Sequence, residues 1–381
     1  MQNAFTTEQR EFRSVLRRYF GRTSSSSVVR RLMESDAGWD PALWRDLNAQ
    51  LGLCGVHVPE EYGGMGFGFV ELGIVLEEMG RALVCAPFFS SAVLATNAIL
   101  NGATEAQKKT FLPRLVAGDT VATLAFIESG GQWEPFDVAT CVHQTDGRYR
   151  LTGAKCFVID GCAADLFIVT ARRPGSVGRS GLSLFAVRSD ANGLTRAPLQ
   201  TLDLTRKLAR VDFDNAEAEL LGVPEQASGP LAKTLAQAYA MLANEMVGGA
   251  EKLRESALDY AKLRVQFGRP ISSFQSMKHK QADMLVDVEL AKSAAYKAAR
   301  AADDDKLDLY ALSSLAMASA SEAYMQTAIH SIQIHGGIGF TWENDTHLWF
   351  KRAKSSEVLL GDSTWHREEM MRTWAGERNV Q

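Results

Sequence analysis

Apolar residues recur at helical spacing along the first third of the chain. Phe12, Leu16 and Phe20 share one face of a segment that Thr7 can cap and that runs through Arg18. A serine-rich turn at residues 23–27 follows, and Trp44, Leu47 and Leu51 begin a second stripe. Residues 70–81 and 91–100 read as long apolar helices, and 104–115 as a capped amphipathic one. From about residue 121 the period changes. TLAFIES, YRLTGAKCFVI, LFIVTAR, SLFAVRS and KLARVDFDNAEAELLG are short β-type runs, separated by Gly, Asp-Gly and Pro turns. Helical patterning returns at Leu231 and continues to the end. The expected architecture is α+β and multidomain: an N-terminal helical domain over 1–120, a small β-barrel or sandwich over 121–224, and a C-terminal four-helix bundle over 225–381.

Inside the last segment, Tyr260, Leu263 and Phe267 keep helical spacing until Gly268-Arg269-Pro270 ends the helix. Ser272 or Ser273 can cap the next one. The Gly-rich stretch VPEEYGGMGFG at residues 58–68 is loop-like, and no Gly-Lys-Ser/Thr follows it, so it is not a P-loop.

Composition changes the picture only by exclusion. The 381 residues are 46% hydrophobic and 23% charged, with a formal net charge of −4, which argues against nucleic-acid binding. Five cysteines (Cys54, Cys85, Cys141, Cys156, Cys162) show neither zinc-type spacing nor a C-x-x-C pair, and read as buried reduced thiols. With no signal-peptide pattern and no run of membrane-spanning length, a cytoplasmic protein is expected.

The stretch LRVQFGRPISSFQSMKHKQADM, residues 263–284, resembles the flavin-contacting helix-turn-helix of acyl-CoA dehydrogenases, and QIHGGIGF, residues 333–340, resembles that family's second reach-across segment. The Gly-rich loop resembles its P-x-x-x-G-G-x-G loop, and the likeness covers nearly the whole chain. The resemblance implies FAD as cofactor, an acyl-CoA thioester as substrate, α,β-desaturation as reaction, an electron-transferring flavoprotein as acceptor, and a tetramer. It assigns Arg264, Phe267, Gln333, Gly336 and Gly337 to the adenosine-diphosphate part of a neighbouring subunit's FAD. Taken alone, Arg264 reads as a solvated or ion-paired residue; the surrounding motif changes that assignment.

The catalytic positions depart from the family pattern. Alignment on Ala353, Lys354, Gly361, Ser363 and Arg367 puts Leu360 where most relatives carry the Glu base, and Ala238 stands at the minority position. Two carboxylates are candidate replacements: Glu245, in an otherwise apolar stretch, and Asp362, beside Gly361. Each also has a structural alternative, a buried ion pair for Glu245 and a helix cap for Asp362. On the flavin-ring side, the family's T-E-P-x-A-G-S-D becomes Ile127, Glu128, Ser129, Gly130, Gly131, Gln132, Trp133 and Glu134, and W-I-T becomes Phe157, Val158 and Ile159. Hydroxyl donors are lost, while Phe157 can still stack on a ring. Three functions remain open: a flavin-assisting subunit of a heteromeric α2β2 enzyme, of the kind that shortens steroid side chains; a self-sufficient homotetramer using Glu245 or Asp362; and a non-catalytic binding or scaffold homologue.

Overall fold

A computed structural model describes residues 5–376 apart from 132, 146 and 305–307. The chain runs helix, then strand, then helix. Helices α1 (Thr7–Thr23), α2 (Ser26–Glu34), α3 (Pro41–Leu51), α4 (Phe69–Ala82), α5 (Thr96–Gly102) and α6 (Glu105–Val116) come first. Strands β1 (Ala122–Ala125), β2 (Cys141–Thr145), β3 (Arg148–Ile159), β4 (Leu166–Arg172), β5 (Leu182–Arg188), β6 (Leu194–Pro198) and β7 (Leu208–Leu221) follow. After them come α7 (Ser228–Leu263), the two-residue strands β8 (Val265–Gln266) and β9 (Arg269–Pro270), and helices α8 (Gln275–Asp303), α9 (Leu309–His335), α10 (Thr346–Val358) and α11 (Ser363–Trp374). No described helix is long and apolar enough to cross a membrane.

By compactness the chain divides into two units. One holds residues up to Arg31, Phe69–Val84 and the chain from Tyr239 onward; the other holds Leu32–Gly68 and Cys85–Ala238. The first unit is helical apart from the short β8–β9 hairpin. The expected stripe on α1 buries Leu16 and Phe20, and its cap is Thr6, one residue earlier than the sequence pattern placed it, in a reciprocal box with Gln9. Arg13 and Arg17 on α1 pair with Glu77 and Glu78 on α4. Against α7, α4 packs through glycines. A Cβ on Gly80 would strike the Glu245 carbonyl oxygen, and one on Gly248 would strike that of Glu77.

The second unit carries the β structure. Pairing runs β4–β5, β5–β7, β7–β3, β3–β2 and back from β2 to β4, so the sheet closes into a barrel. Parallel β1 joins at β4, and β6 pairs with β7. Closure leaves few open edges, and alternate residues fill the interior: Leu151, Phe167, Val169, Phe185, Val211 and Phe213 are buried together. Thr104 caps α6 as expected, in a box with Gln107. The apolar run expected as one helix over 91–100 instead begins as a π-helix, Phe89–Ala95, before α5.

Candidate active site and flavin-contact surface

Three helix ends in the helical unit meet around one small apolar cluster. Ala257 and Ala261 on α7, Met284 on α8 and Ile334 on α9 are buried against each other, with Tyr260, Ile271 and Met277 packed around them. His335 stacks on Tyr260 at 4.5 Å and its Nδ1 hydrogen-bonds the Ser331 carbonyl at 2.8 Å. This cluster brings the two motif segments, seventy residues apart in sequence, to one face.

The first segment is a hairpin. Val265–Gln266 pairs with Arg269–Pro270, so the turn is Phe267-Gly268, and both residues have positive φ, 53° and 77°. Two left-handed residues in a two-residue loop match the twist of the flanking strands. Phe267 has no glycine-like freedom, so that conformation costs about 1–3 kcal/mol, a kind of strain found at ligand clamps. Its ring is 91% exposed. Phe274 buttresses it edge-on at 6.1 Å, and Arg269 lies 4.2 Å over Phe274. Arg264 precedes the hairpin, exposed, and its guanidinium has no hydrogen-bond or ion-pair partner among the described residues. Ser272 and Ser273 do not cap α8; they sit in a short 3-10 turn, with Ser273 Oγ donating to the Pro270 carbonyl, and Phe274 takes the cap position.

The second segment closes α9. Gln333 is exposed and accepts from Lys280 Nζ at 3.4 Å. Gly336 has φ +67°, and a Cβ at Gly336 or Gly337 would meet nothing within 4 Å. The two segments, joined through that cluster, carry an unpartnered guanidinium, an exposed aromatic ring and an open glycine backbone. Those are the groups that a nucleotide diphosphate requires: a cation for phosphate, a ring for stacking, and backbone without side chains for close approach. The residues fit FAD at this face, reached from outside the unit.

The carboxylate candidates lie elsewhere in the same unit. Glu245 on α7 is buried, and its Oε1 accepts from Arg352 Nη1 of α10 at 2.8 Å. Trp349, one turn before Arg352, donates its indole N–H to the Gly80 carbonyl, so α4, α7 and α10 converge there. Asp362 is the N-cap of α11, its Oδ1 accepting from Trp365 N at 2.8 Å. Leu360 is 4% exposed and takes φ +65°, next to Gly361 at +115°. Beneath this elbow His366 is fully buried, its Nε2 donating to the Leu360 carbonyl at 3.1 Å and its ring edge-on to Tyr239 and Trp365 at 4.8 Å. Ala238 is fully buried. Leu360 and Ala238, the positions at which the family resemblance places a base, are therefore buried apolar side chains.

Phe157 belongs to the barrel unit. The register of β3 against β7 shifts between Lys155 and Val158, and in that bulge Phe157 takes φ +55° with its ring 42% exposed. Its ring edge lies 3.8 Å from where a Cβ on Gly131 would stand. Glu128 is anchored, accepting from Ala139 N, Thr140 N and Oγ1, and Lys155 Nζ. Gln132 of this segment lies outside the described residues. Neither Arg352 nor the Lys155–Glu128 pair was singled out from sequence. The signal for Lys155 was present, since it has the strand parity of inward-facing Leu151; no local signal marks Arg352.

Family models described as acyl-CoA dehydrogenase, N-terminal domain, and acyl-CoA dehydrogenase, C-terminal domain, match residues 6–119 and 231–374. The acyl-CoA dehydrogenase IpdE2 of Mycobacterium tuberculosis is 32% identical over 353 residues, 93% of each chain. A solved variant of the Tcur3481-Tcur3483 steroid ACAD superposes with a TM-score of 0.87 at 28% identity, covering 97% of this chain and 98% of that one. Butyryl-CoA dehydrogenase from Megasphaera elsdenii does so at 0.91 and 26%, covering 97% and 99%. With a helix–barrel–helix order and an exposed Arg-Phe-Gly hairpin beside an open Gly-Gly turn, the chain belongs to the acyl-CoA dehydrogenase family of FAD-dependent oxidoreductases acting on CH–CH groups.

Proposed function

We propose that this chain is the flavin-assisting subunit of a heteromeric acyl-CoA dehydrogenase, whose partner chain supplies the base and the ring site. One asymmetry carries this reading. The hairpin and Gly-Gly turn, which in the family geometry serve a neighbour's FAD, have every required group, whereas the chain's own base position is Leu360. Ile127 and Trp133, in the barrel unit, replace hydroxyl-bearing or small residues independently. When bound, FAD accepts the hydride that leaves the β-carbon of the thioester. What this chain contributes is binding: Arg264 faces phosphate charge, Phe267 offers a ring face, and Gly336 and Gly337 let the backbone close in. Abstraction of the α-proton needs a carboxylate within hydrogen-bond reach, and neither Leu360 nor Ala238 provides one.

The homotetramer reading needs Glu245 or Asp362 to be the base. Glu245 is engaged by Arg352, and Asp362 is engaged by its own helix. The scaffold reading leaves the strained, exposed Phe267 turn without a purpose. The likeness to a steroid enzyme whose name pairs two components supports both the heteromeric form and a steroid side-chain CoA thioester as substrate, with an electron-transferring flavoprotein reoxidising the flavin. Expression alone and beside a co-encoded dehydrogenase-like chain tests this. The expected outcome is colourless, inactive protein alone and a yellow, active complex together. A yellow homotetramer that turns over acyl-CoA unaided would sink the proposal.

A further inference from the structure

The barrel encloses one fully buried lysine. Lys155 is 0% exposed. Its Nζ donates to Glu128 Oε1 at 2.8 Å, to Thr170 Oγ1 at 3.1 Å and to the Phe126 carbonyl at 3.4 Å. Glu128 then accepts from the backbone N–H groups of Ala139 and Thr140, both at 2.8 Å, and from the Thr140 hydroxyl at 2.7 Å. One carboxylate thus joins position 128 to positions 139–140 and closes the loop between them. A buried ion pair of this kind seldom adds net stability over well-packed apolar residues, so stability alone gives no reason for it. Its geometry does. Immediately after Lys155 comes the β3 bulge that turns Phe157 outward, and Cys156 N donates to the Ile127 carbonyl at 2.8 Å. The start of the loop, its end and the bulge are all tied to one clamp, and Gly131 of the loop lies beside the Phe157 ring.

We propose that Lys155 and Glu128 are positioning residues that hold both ends of the loop between Glu128 and Ala139, and through them Trp133, together with the Phe157 bulge, as one wall on the flavin-ring side of the barrel. They act through Phe157 and Trp133. The ring-side label is positional and rests on the motif resemblance alone; the clamp holds this wall whether this barrel or the partner chain's carries the working ring site. The groups that face the lysine are Glu128 from the loop, Thr170 and Arg172 from β4, and the Phe126 carbonyl after β1. Burial draws the Lys155 ammonium down to about 8, against the opposing pull of Glu128. For Glu128, burial raises the carboxyl, but the Lys155 charge and the Thr140 hydrogen bonds outweigh it and hold the group below its usual range. As pH rises through about 8, Lys155 loses its proton and the ion pair with it: the neutral amine can still donate to the Glu128 carboxylate, but without its own charge, so its hold on the loop weakens.

The test needs no bound flavin. Trp133 emission, taken as the difference between the wild type and Trp133→Phe, is titrated from about pH 6 to about pH 10. Proteolytic cleavage within the loop is timed over the same range. The expected result is a wild-type transition centred near 8, with cleavage about tenfold faster above it, and no transition in Lys155→Met. The double variant Lys155→Met/Glu128→Gln removes both charges without leaving one unpaired. It should fold even where the single variant does not, with the loop cleaved rapidly at every pH. A flat Trp133 signal in the wild type overturns the proposal. So does a folded double variant whose loop is cleaved at the wild-type rate near neutral pH.

Discussion

Glu245 of α7 and Arg352 of α10 meet 2.8 Å apart, and their side chains keep only 7% and 5% of their exposure. The contact ties α7 to α10 in the interior, a structural role for the carboxylate, and a buried hydrogen bond between charged groups is costly to weaken. Glu245→Gln should therefore lower stability by about 1–3 kcal/mol, seen as a lower denaturation midpoint. Turnover of the assembled enzyme should stay within about tenfold of wild type, because losing a true general base costs about 10²–10⁴-fold. A fall of that size, with flavin content and assembly intact, would make Glu245 the base.

Arg264 presents an unpartnered charge beside the Phe267 turn. Arg264→Ala should weaken flavin retention by about 1.5–3 kcal/mol, a tenfold or greater rise in the FAD dissociation constant. Because the side chain is exposed, the melting temperature of the flavin-free protein should not move. Absorbance of the retained flavin after serial dilution reads the effect, and undiminished yellow colour would remove Arg264 from the site.

Gly248 lets α7 approach α4 so closely that an added Cβ would collide with the Glu77 carbonyl. Backbone cannot yield as a flexible side-chain tip can. Gly248→Ala should cost about 1–3 kcal/mol, despite alanine's better helix propensity. Exposed Gly229, near the start of the same helix with nothing within 4 Å of its Cβ position, is the control: there the same substitution should be neutral or stabilising by under about 1 kcal/mol. Equal effects at both sites in urea unfolding would refute close packing as the cause.

What could be read in the sequence was local. Thr104 with Gln107 announces α6, Asp362 announces α11, and the alternating runs after residue 121 announce strands, because caps and periodicity depend on residues a few positions apart. The Arg264–Phe267 turn was legible as a motif, though its hairpin form was not. The π-helix at Phe89–Ala95 is not legible because all of its residues are buried, so no polar face marks the change of period. Arg352 was invisible as the partner of Glu245, since over a hundred residues separate them and only tertiary packing joins them.

A final expectation concerns His57, in the turn before the Gly-rich loop. It is buried, and its Nε2 donates to Asn97 Oδ1 of α5 at 3.1 Å. Burial disfavours the charged ring more than Asn97 favours it, lowering the group to about 4 from 6.5. The folded state thus holds neutral histidine where the unfolded chain would take up a proton. Between these two values the unfolded state binds more protons, so stability rises with pH across the window and is lost on acidification. The contribution is fully present above 6.5 and gone once pH falls through about 4. Carboxylates also titrate at the acid end, so the informative quantity is the difference between wild type and His57→Gln, which keeps a polar side chain but cannot ionise. From about pH 7 to about pH 4.5 the wild type should lose roughly 2 kcal/mol more unfolding free energy than the variant. Parallel curves for the two proteins in urea titrations at each pH would mean that His57 is protonated, or solvated, in the native state.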